Sequence, residues 1–229
     1  MTEDQQVVEI KKIAIIGGTG KEGKGLAYRW GRVGYQVLIG SRLLEKAQAA
    51  SDEINALLGT KVVSGMETVE AAQAADLIVL TVPFIAHVAM LEMLKPHITG
   101  KILIDVTVPL VPPKISKVQM PPAGSASLEA HQVLGDGIEV VAAFQNISYE
   151  HLLHDDDIGC DVLVCGTSKQ ARTVVINLVT AAGLIGWDAG PIENSMVVEG
   201  MTSILLGLNK QFNGHSAGIK IVGIPTMEH

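Results

Sequence analysis

Lys12-Ile13-Ala14-Ile15-Ile16-Gly17-Gly18-Thr19-Gly20-Lys21-Glu22-Gly23 decides the fold. Its first half is a short β-branched apolar run ending in Gly17, as expected of a strand buried on both faces. Its second half, Gly18 to Gly23, is G-x-G-x-x-G. Beyond it Leu26, Ala27, Trp30 and Val33 recur at helical spacing, and Gly34 stands where a helix C-cap belongs. The glycine string gains its meaning from that placement between strand and helix. The first glycine permits a tight turn, the second lets a pyrophosphate approach the backbone, and the third lets helix and strand pack closely. The helix N-terminus supplies free N–H groups and partial positive charge for phosphates. Gly18 to Lys24 also fits G-x-x-x-x-G-K, but Gly25 follows where a P-loop needs a hydroxyl for Mg²⁺. A dinucleotide is favoured over a nucleoside triphosphate.

Working outward, short apolar runs alternate with helical patterns. Strands are expected at Tyr35 to Ile39, Lys61 to Ser64, Leu77 to Val82, Lys101 to Val108 and Ile138 to Phe144. Helices are expected at Leu43 to Leu58, Thr68 (as cap) to Ala75, Ile85 to Leu94 and Ser125 to Leu134. Five of the nine prolines crowd into 109–122, so that stretch is an extended loop, either a lid or a plain surface connection. After a polar stretch, a smaller unit reads strand (Asp161 to Cys165), helix (Gln170 to Ala182), strand (Ile185 to Ala189), helix (Met196 to Lys210). The expected fold is α/β: a Rossmann-type, doubly wound, mainly parallel sheet with a small mixed α/β C-terminal unit. The domains divide as 1–150 and 151–229.

Composition agrees. Of 229 residues 24 are Gly, where average usage near ~7% would give roughly 16. Eight of them fall between Gly17 and Gly40. With 48% hydrophobic residues the chain is not disordered, and two cysteines make no disulfide scaffold. A net charge of −7 without a long basic run speaks against nucleic acid. Met1 to Gln6 is acidic and polar, unlike a secretory leader, and Cys160 and Cys165 fit reduced thiols on opposite strand faces. Both point to the cytoplasm. Leu77 to Leu94 has the length of a membrane span, but Pro83 splits it into strand and helix, so no membrane partner is expected.

The end of the second strand selects the dinucleotide. NAD-binding folds place an acid there for the ribose 2′-hydroxyl. Here Gly40-Ser41-Arg42 has none. Arg42 can grip a 2′-phosphate through a charge-assisted fork, Ser41 can donate to it, Lys46 lies one turn along the same helix face and adds charge, and Thr19 is near enough to join. NADP is the expected dinucleotide. His151, His154 and Asp155 to Asp157 fit a solvated turn better than a ligand set, and no metal is expected.

Assembled, the chain resembles the NADPH-dependent reductases of the 8-hydroxy-5-deazaflavin coenzyme F420, from Lys12 to about Ile221. The resemblance rests on Ile15 to Gly20, Gly40-Ser41-Arg42, Leu80-Thr81-Val82-Pro83, Asp161 to Gly166 and Asp188-Ala189-Gly190-Pro191. It implies that Thr81, Val82 and Pro83 meet the nicotinamide end of NADP(H). His87 either faces the same cofactor or is an ordinary exposed helix histidine. The coenzyme F420 co-substrate would lie against Gln145, Asn146, Ile147, Gly200 and Thr202. Archaeal members carry His where this chain has Gln145, and Ser where it has Gly200. The implied reaction is hydride transfer, in which the coenzymes carry the chemistry and no acid–base triad is required. Other readings are an NADPH-dependent reductase of a free flavin or quinone, and a non-catalytic NADP sensor. Met201, Ile204, Leu205 and Leu208 would serve either a homodimer interface or the core.

Overall fold

A computed structural model describes residues 9–153 and 158–224. Eight strands form one continuous sheet: β1 (Lys12–Ile16), β2 (Gln36–Ser41), β3 (Val63–Glu67), β4 (Leu77–Leu80), β5 (Ile102–Asp105), β6 (Glu139–Ala142), β7 (Asp161–Gly166) and β8 (Ile185–Pro191). Their order is β3-β2-β1-β4-β5-β6-β7-β8. The first six are parallel, β7 runs antiparallel to β6, and β8 is parallel to β7. The strand order reverses between β1 and β4, where such sheets open a ligand crevice at the carboxyl ends. The C-terminal strands extend the sheet that the dinucleotide motif begins.

The period-2 alternation of the strands divides the core in two. Ile13, Ile15, Val37, Ile39 and Val79 face helices α1 (Lys21–Arg32), α2 (Leu44–Leu58) and α6 (Lys169–Ala181). Ala14, Ile16, Leu38, Ile78 and Leu80 face α3 (Thr68–Ala74), α4 (His87–Leu94), α5 (Ala126–Leu134) and α7 (Ser195–Phe212). Both faces are covered, which is why the strands read as unbroken aliphatic runs. Trp30 ties the first layer together: its indole donates to the Leu178 carbonyl at 2.9 Å and meets Phe144 edge-on, ring centres 5.8 Å apart.

Several boundaries differ from the sequence reading. Val33 lies just past α1 and is exposed, because the helix stops at Arg32. The third strand starts at Val63, whose backbone is clamped by the Asn55 side chain at 2.8 and 3.0 Å, and it runs on to Glu67. Thr68 therefore opens α3 and does not cap it; the extended residue before it is Glu67. The segment from 106 to 124 contains no helix or strand, as its prolines require. His154 and Asp155 to Asp157 lie outside the described residues, as does Met1 to Gln6.

Candidate active site

At the end of β1 the chain turns through Gly17 with φ +82°, and the Gly17 N–H donates to the Gly40 carbonyl at 3.1 Å. The turn and α1 are in backbone contact. A Cβ on Gly23 would lie 2.5 Å from the Gly18 Cα and 3.1 Å from the Thr81 hydroxyl. α1 begins after Gly20 with no side-chain cap, so no side chain occupies the place of an anion at its N-terminus. A groove of about 400 Å³ opens beside the turn. Gly17, Thr19, Gly20, Ser41, Arg42 and Thr68 line it, together with Thr81, Val82 and Pro83.

The polar part of this lining suits a phosphate monoester. Arg42 is exposed, and its guanidinium makes no hydrogen bond or ion pair among the described residues. The Ser41 hydroxyl oxygen accepts from the Leu43 N–H at 3.2 Å, which leaves its proton to donate. The Thr68 hydroxyl in the same groove is buried without a partner. Lys46 is exposed on α2 but does not line the groove. Arg42 precedes α2, so the two cations share no helix face, contrary to the sequence reading. Lys21 turns away and sits over the Tyr149 ring, 4.8 Å from its centre.

A second cavity of about 620 Å³ adjoins the same strand end. Thr81, Val82 and Pro83 line it as well. The two spaces thus share one three-residue wall. The second space is bounded by Gln145, Asn146, Ile147 and Thr202, and by the proline segment through Val108, Leu110, Pro112 and Ile115. Phe144, two residues past β6 and held at φ +71°, opens a turn that carries Gln145 and Asn146 into this wall. The Asn146 amide donates both protons, to the Val198 carbonyl at 3.0 Å and to the Thr202 oxygen at 3.1 Å. The Gln145 amide donates to the Asp105 carbonyl at 2.7 Å. These bonds fix both carboxamides, and each leaves a buried oxygen without a donor.

Residues 12–109 match the family described as "NADP oxidoreductase coenzyme F420-dependent". The chain is 35% identical over 222 residues to the F420-dependent NADP reductase of Methanocaldococcus jannaschii, covering 93% of this chain and 99% of that one. It is 36% identical, over the same shares, to the F420-dependent NADP reductase of Methanothermobacter marburgensis. The chain belongs to the coenzyme F420-dependent NADP oxidoreductase family. The fold is shared with a crystal structure from Arthrobacter sp. FB24, with a TM-score of 0.77 at 23% identity, covering 94% of this chain and 100% of that one.

Within this family member, the structure corrects His87. It is fully buried, bonded to Asp105 at 2.7 Å and to Glu129 at 3.2 Å, and lines neither cavity. Burial pulls its pKa down, but the two carboxylates outweigh that and leave it raised. Gly200 is buried against the proline segment, where a Cβ would lie 3.4 Å from Val118, and is not part of the cavity wall. Glu22 lines the second cavity, and desolvation pushes its carboxyl up to about 8. The sequence reading missed Thr68, Thr107 and Tyr149 in the walls, and Glu199 behind them. Glu199 is fully buried and accepts from the Ala126 and Ser127 N–H groups at 2.6 and 3.0 Å. Only the groove's Thr68 carries a signal, as a hydroxyl at a helix start beside the strand end.

Proposed function

We propose that the protein transfers a hydride between NADPH and coenzyme F420. The observation that carries this reading is the wall Thr81-Val82-Pro83 shared by the two cavities. NADPH would lie in the smaller groove, with its 2′-phosphate at Ser41 and Arg42 and its pyrophosphate over Gly18, Thr19 and Gly20. The deazaflavin would occupy the larger cavity. When both are bound, the nicotinamide supplies a hydride and the deazaflavin ring takes it on carbon, with a proton from solvent.

The protein's part is placement. The glycine turn and the bare N-terminus of α1 hold the anionic middle of NADPH, and Lys21, Glu22 and Gly23 supply the first-turn backbone. Val82 and Pro83 form an apolar edge between the two rings. The oriented oxygens of Gln145 and Asn146 present acceptors to ring N–H groups, and Ile147 packs beside them. Leu110, Ile115, Leu205 and Leu206 give the larger cavity an apolar lining. On this reading 1–150 is the NADP-binding domain, and 151–229 completes the acceptor site through Thr202.

The exposed apolar stripe Val197, Ile204, Leu208 and Phe212 along α7 supports a homodimer. Among the described residues no helix is long and apolar enough to cross a membrane. A cytoplasmic location is supported by Cys160 and Cys165, which form no disulfide with each other. The test is to follow NADPH consumption by purified protein with F420, FMN or FAD in parallel. Turnover with F420 is expected; turnover with flavins alone, or binding without turnover, overturns the reading.

A further inference from the structure

Asp105 is the last residue of β5 and stands level with Leu80 of β4 on one side and Ala142 of β6 on the other. Leu80 runs directly into the wall Thr81-Val82-Pro83, and Ala142 leads to the turn that carries Gln145 and Asn146. Bonds leave Asp105 towards both. Its backbone carbonyl accepts from the Gln145 amide at 2.7 Å. Its Oδ1 accepts from the Thr107 N–H at 3.0 Å, and the Thr107 hydroxyl lies 3.5 Å from the Val82 carbonyl. Its Oδ2 meets His87 Nε2 at 2.7 Å, and the His87 ring lies beside Phe84, the residue after the wall, with ring centres 5.9 Å apart. Phe84, Thr107 and Gln145 all line the larger cavity. Asp105 and His87 are fully buried and line neither space.

We propose that Asp105, locked by His87, is a positioning residue for the hydride transfer: it sets the spacing between the wall that the nicotinamide meets and the turn that the deazaflavin meets. The inference rests on the coenzyme reading above. Hydride transfer needs the two reacting carbons within about 3–3.5 Å, and an error of about 1 Å can cost about 100-fold in rate. The wall and the turn follow strands that are not neighbours, because β5 lies between β4 and β6. Their separation therefore depends on what holds the end of β5. There the strand stops, and the Asp105 side chain carries the register onward to Thr107 and His87. The Nδ1 of His87 faces Glu129 of α5 at 3.2 Å, so the ring is held from both edges and keeps the Asp105 carboxylate in one orientation.

The test is single-turnover stopped flow with purified protein, NADPH and F420, expressed per NADPH-binding site counted by titration. NADPH carries either hydrogen or deuterium at the transferring carbon. In Asp105→Ala the hydride step is expected to fall about 10–100-fold, while the dissociation constants of both coenzymes stay close to wild type. The deuterium isotope effect, nearly independent of temperature in the wild type, is expected to become temperature-dependent, because a loosened approach of the two carbons has to be sampled thermally. Asp105→Asn keeps an acceptor for Thr107 and a donor to His87, and should recover most of the rate. Where Asp105→Ala does not fold, a pair of variants at His87 decides. Glutamine keeps a donor near the place of Nε2, whereas asparagine is too short to reach Asp105, so His87→Asn should lose more of the hydride step than His87→Gln. A purely structural ion pair would lower the melting temperature and the number of binding sites, but leave the rate per site and the isotope effect unchanged. That result, a loss confined to the dissociation constants, or equal losses within either pair of variants overturns the inference. Failure of the wild type to reduce F420 overturns the coenzyme reading itself.

Discussion

Gln145 donates its side-chain N–H to the backbone carbonyl of Asp105 at 2.7 Å, and that bond fixes which way round the carboxamide sits. The Gln145 backbone carbonyl in turn accepts from the Thr202 hydroxyl at 2.9 Å, so the residue is held from both sides. Its Oε1 is buried without a hydrogen-bond donor, and the residue lines the larger cavity.

Replacing Gln145 with Ala removes that acceptor and leaves the NADP groove intact. A neutral hydrogen bond is worth about 0.5–1.5 kcal/mol, so KM for F420 should rise roughly 3–10-fold. The affinity for NADPH, measured separately by titration, should stay within about twofold. Equal losses for both coenzymes would show that Gln145 supports the whole wall and not the acceptor.

Arg42 tests the other end. Its guanidinium has no partner among the described residues, so removing it should disturb little of the fold. A hydrogen bond to a charged group contributes about 1.5–3 kcal/mol, which predicts a 10–100-fold loss of NADPH affinity in Arg42→Ala. NADH, lacking the 2′-phosphate, should lose almost nothing. Parallel losses in the two titrations would remove the 2′-phosphate role.

The two sites differ in how far they could be read from sequence, for a physical reason. The glycine turn and the Gly40–Arg42 strand end of the groove are each built from consecutive residues, so short local strings (Gly17 to Gly23, then Gly40 to Arg42) specify strand, turn and helix together. The departure there is local: Lys46 shares no helix face with Arg42, because Arg42 precedes α2. The acceptor wall assembles from segments about 60 residues apart, and residue type alone does not reveal which way a side chain turns. His87 shows this. The helical pattern places it one turn past Pro83, but Asp105 from β5 and Glu129 from α5 draw it into the interior. The positive φ of Phe144, which aims Gln145 and Asn146, leaves no mark in the sequence either.

Gly23 is a position where the glycine requirement can be tested directly. A methyl group there would lie 2.5 Å from the Gly18 Cα, a backbone atom that cannot swing aside. Gly23→Ala should therefore push α1 off the turn, at a cost near the top of the usual 1–3 kcal/mol for overpacking. A lower melting temperature and at least tenfold weaker NADPH binding are expected together. Wild-type binding in this variant would contradict the close packing of the turn.

Glu199 offers a test through pH. Its carboxyl is fully buried, and desolvation, reinforced by the charge of Asp105, raises it to about 7 despite the donors from Ala126 and Ser127. The unfolded chain titrates near the ordinary 4.5. Between these values the folded state holds a proton that the unfolded state has lost, so stability from this group falls as pH rises from about 4.5 to 7. A shift of that size corresponds to roughly 3 kcal/mol. Glutamine cannot titrate, and in Glu199→Gln one buried N–H of α5 would face an amide instead of an oxygen. Chemical denaturation of wild type and Glu199→Gln should therefore give a stability difference that is largest near pH 5 and shrinks by about 3 kcal/mol towards pH 8. A difference that stays constant across this range would show that Glu199 is already ionised at pH 5, held so by its backbone donors.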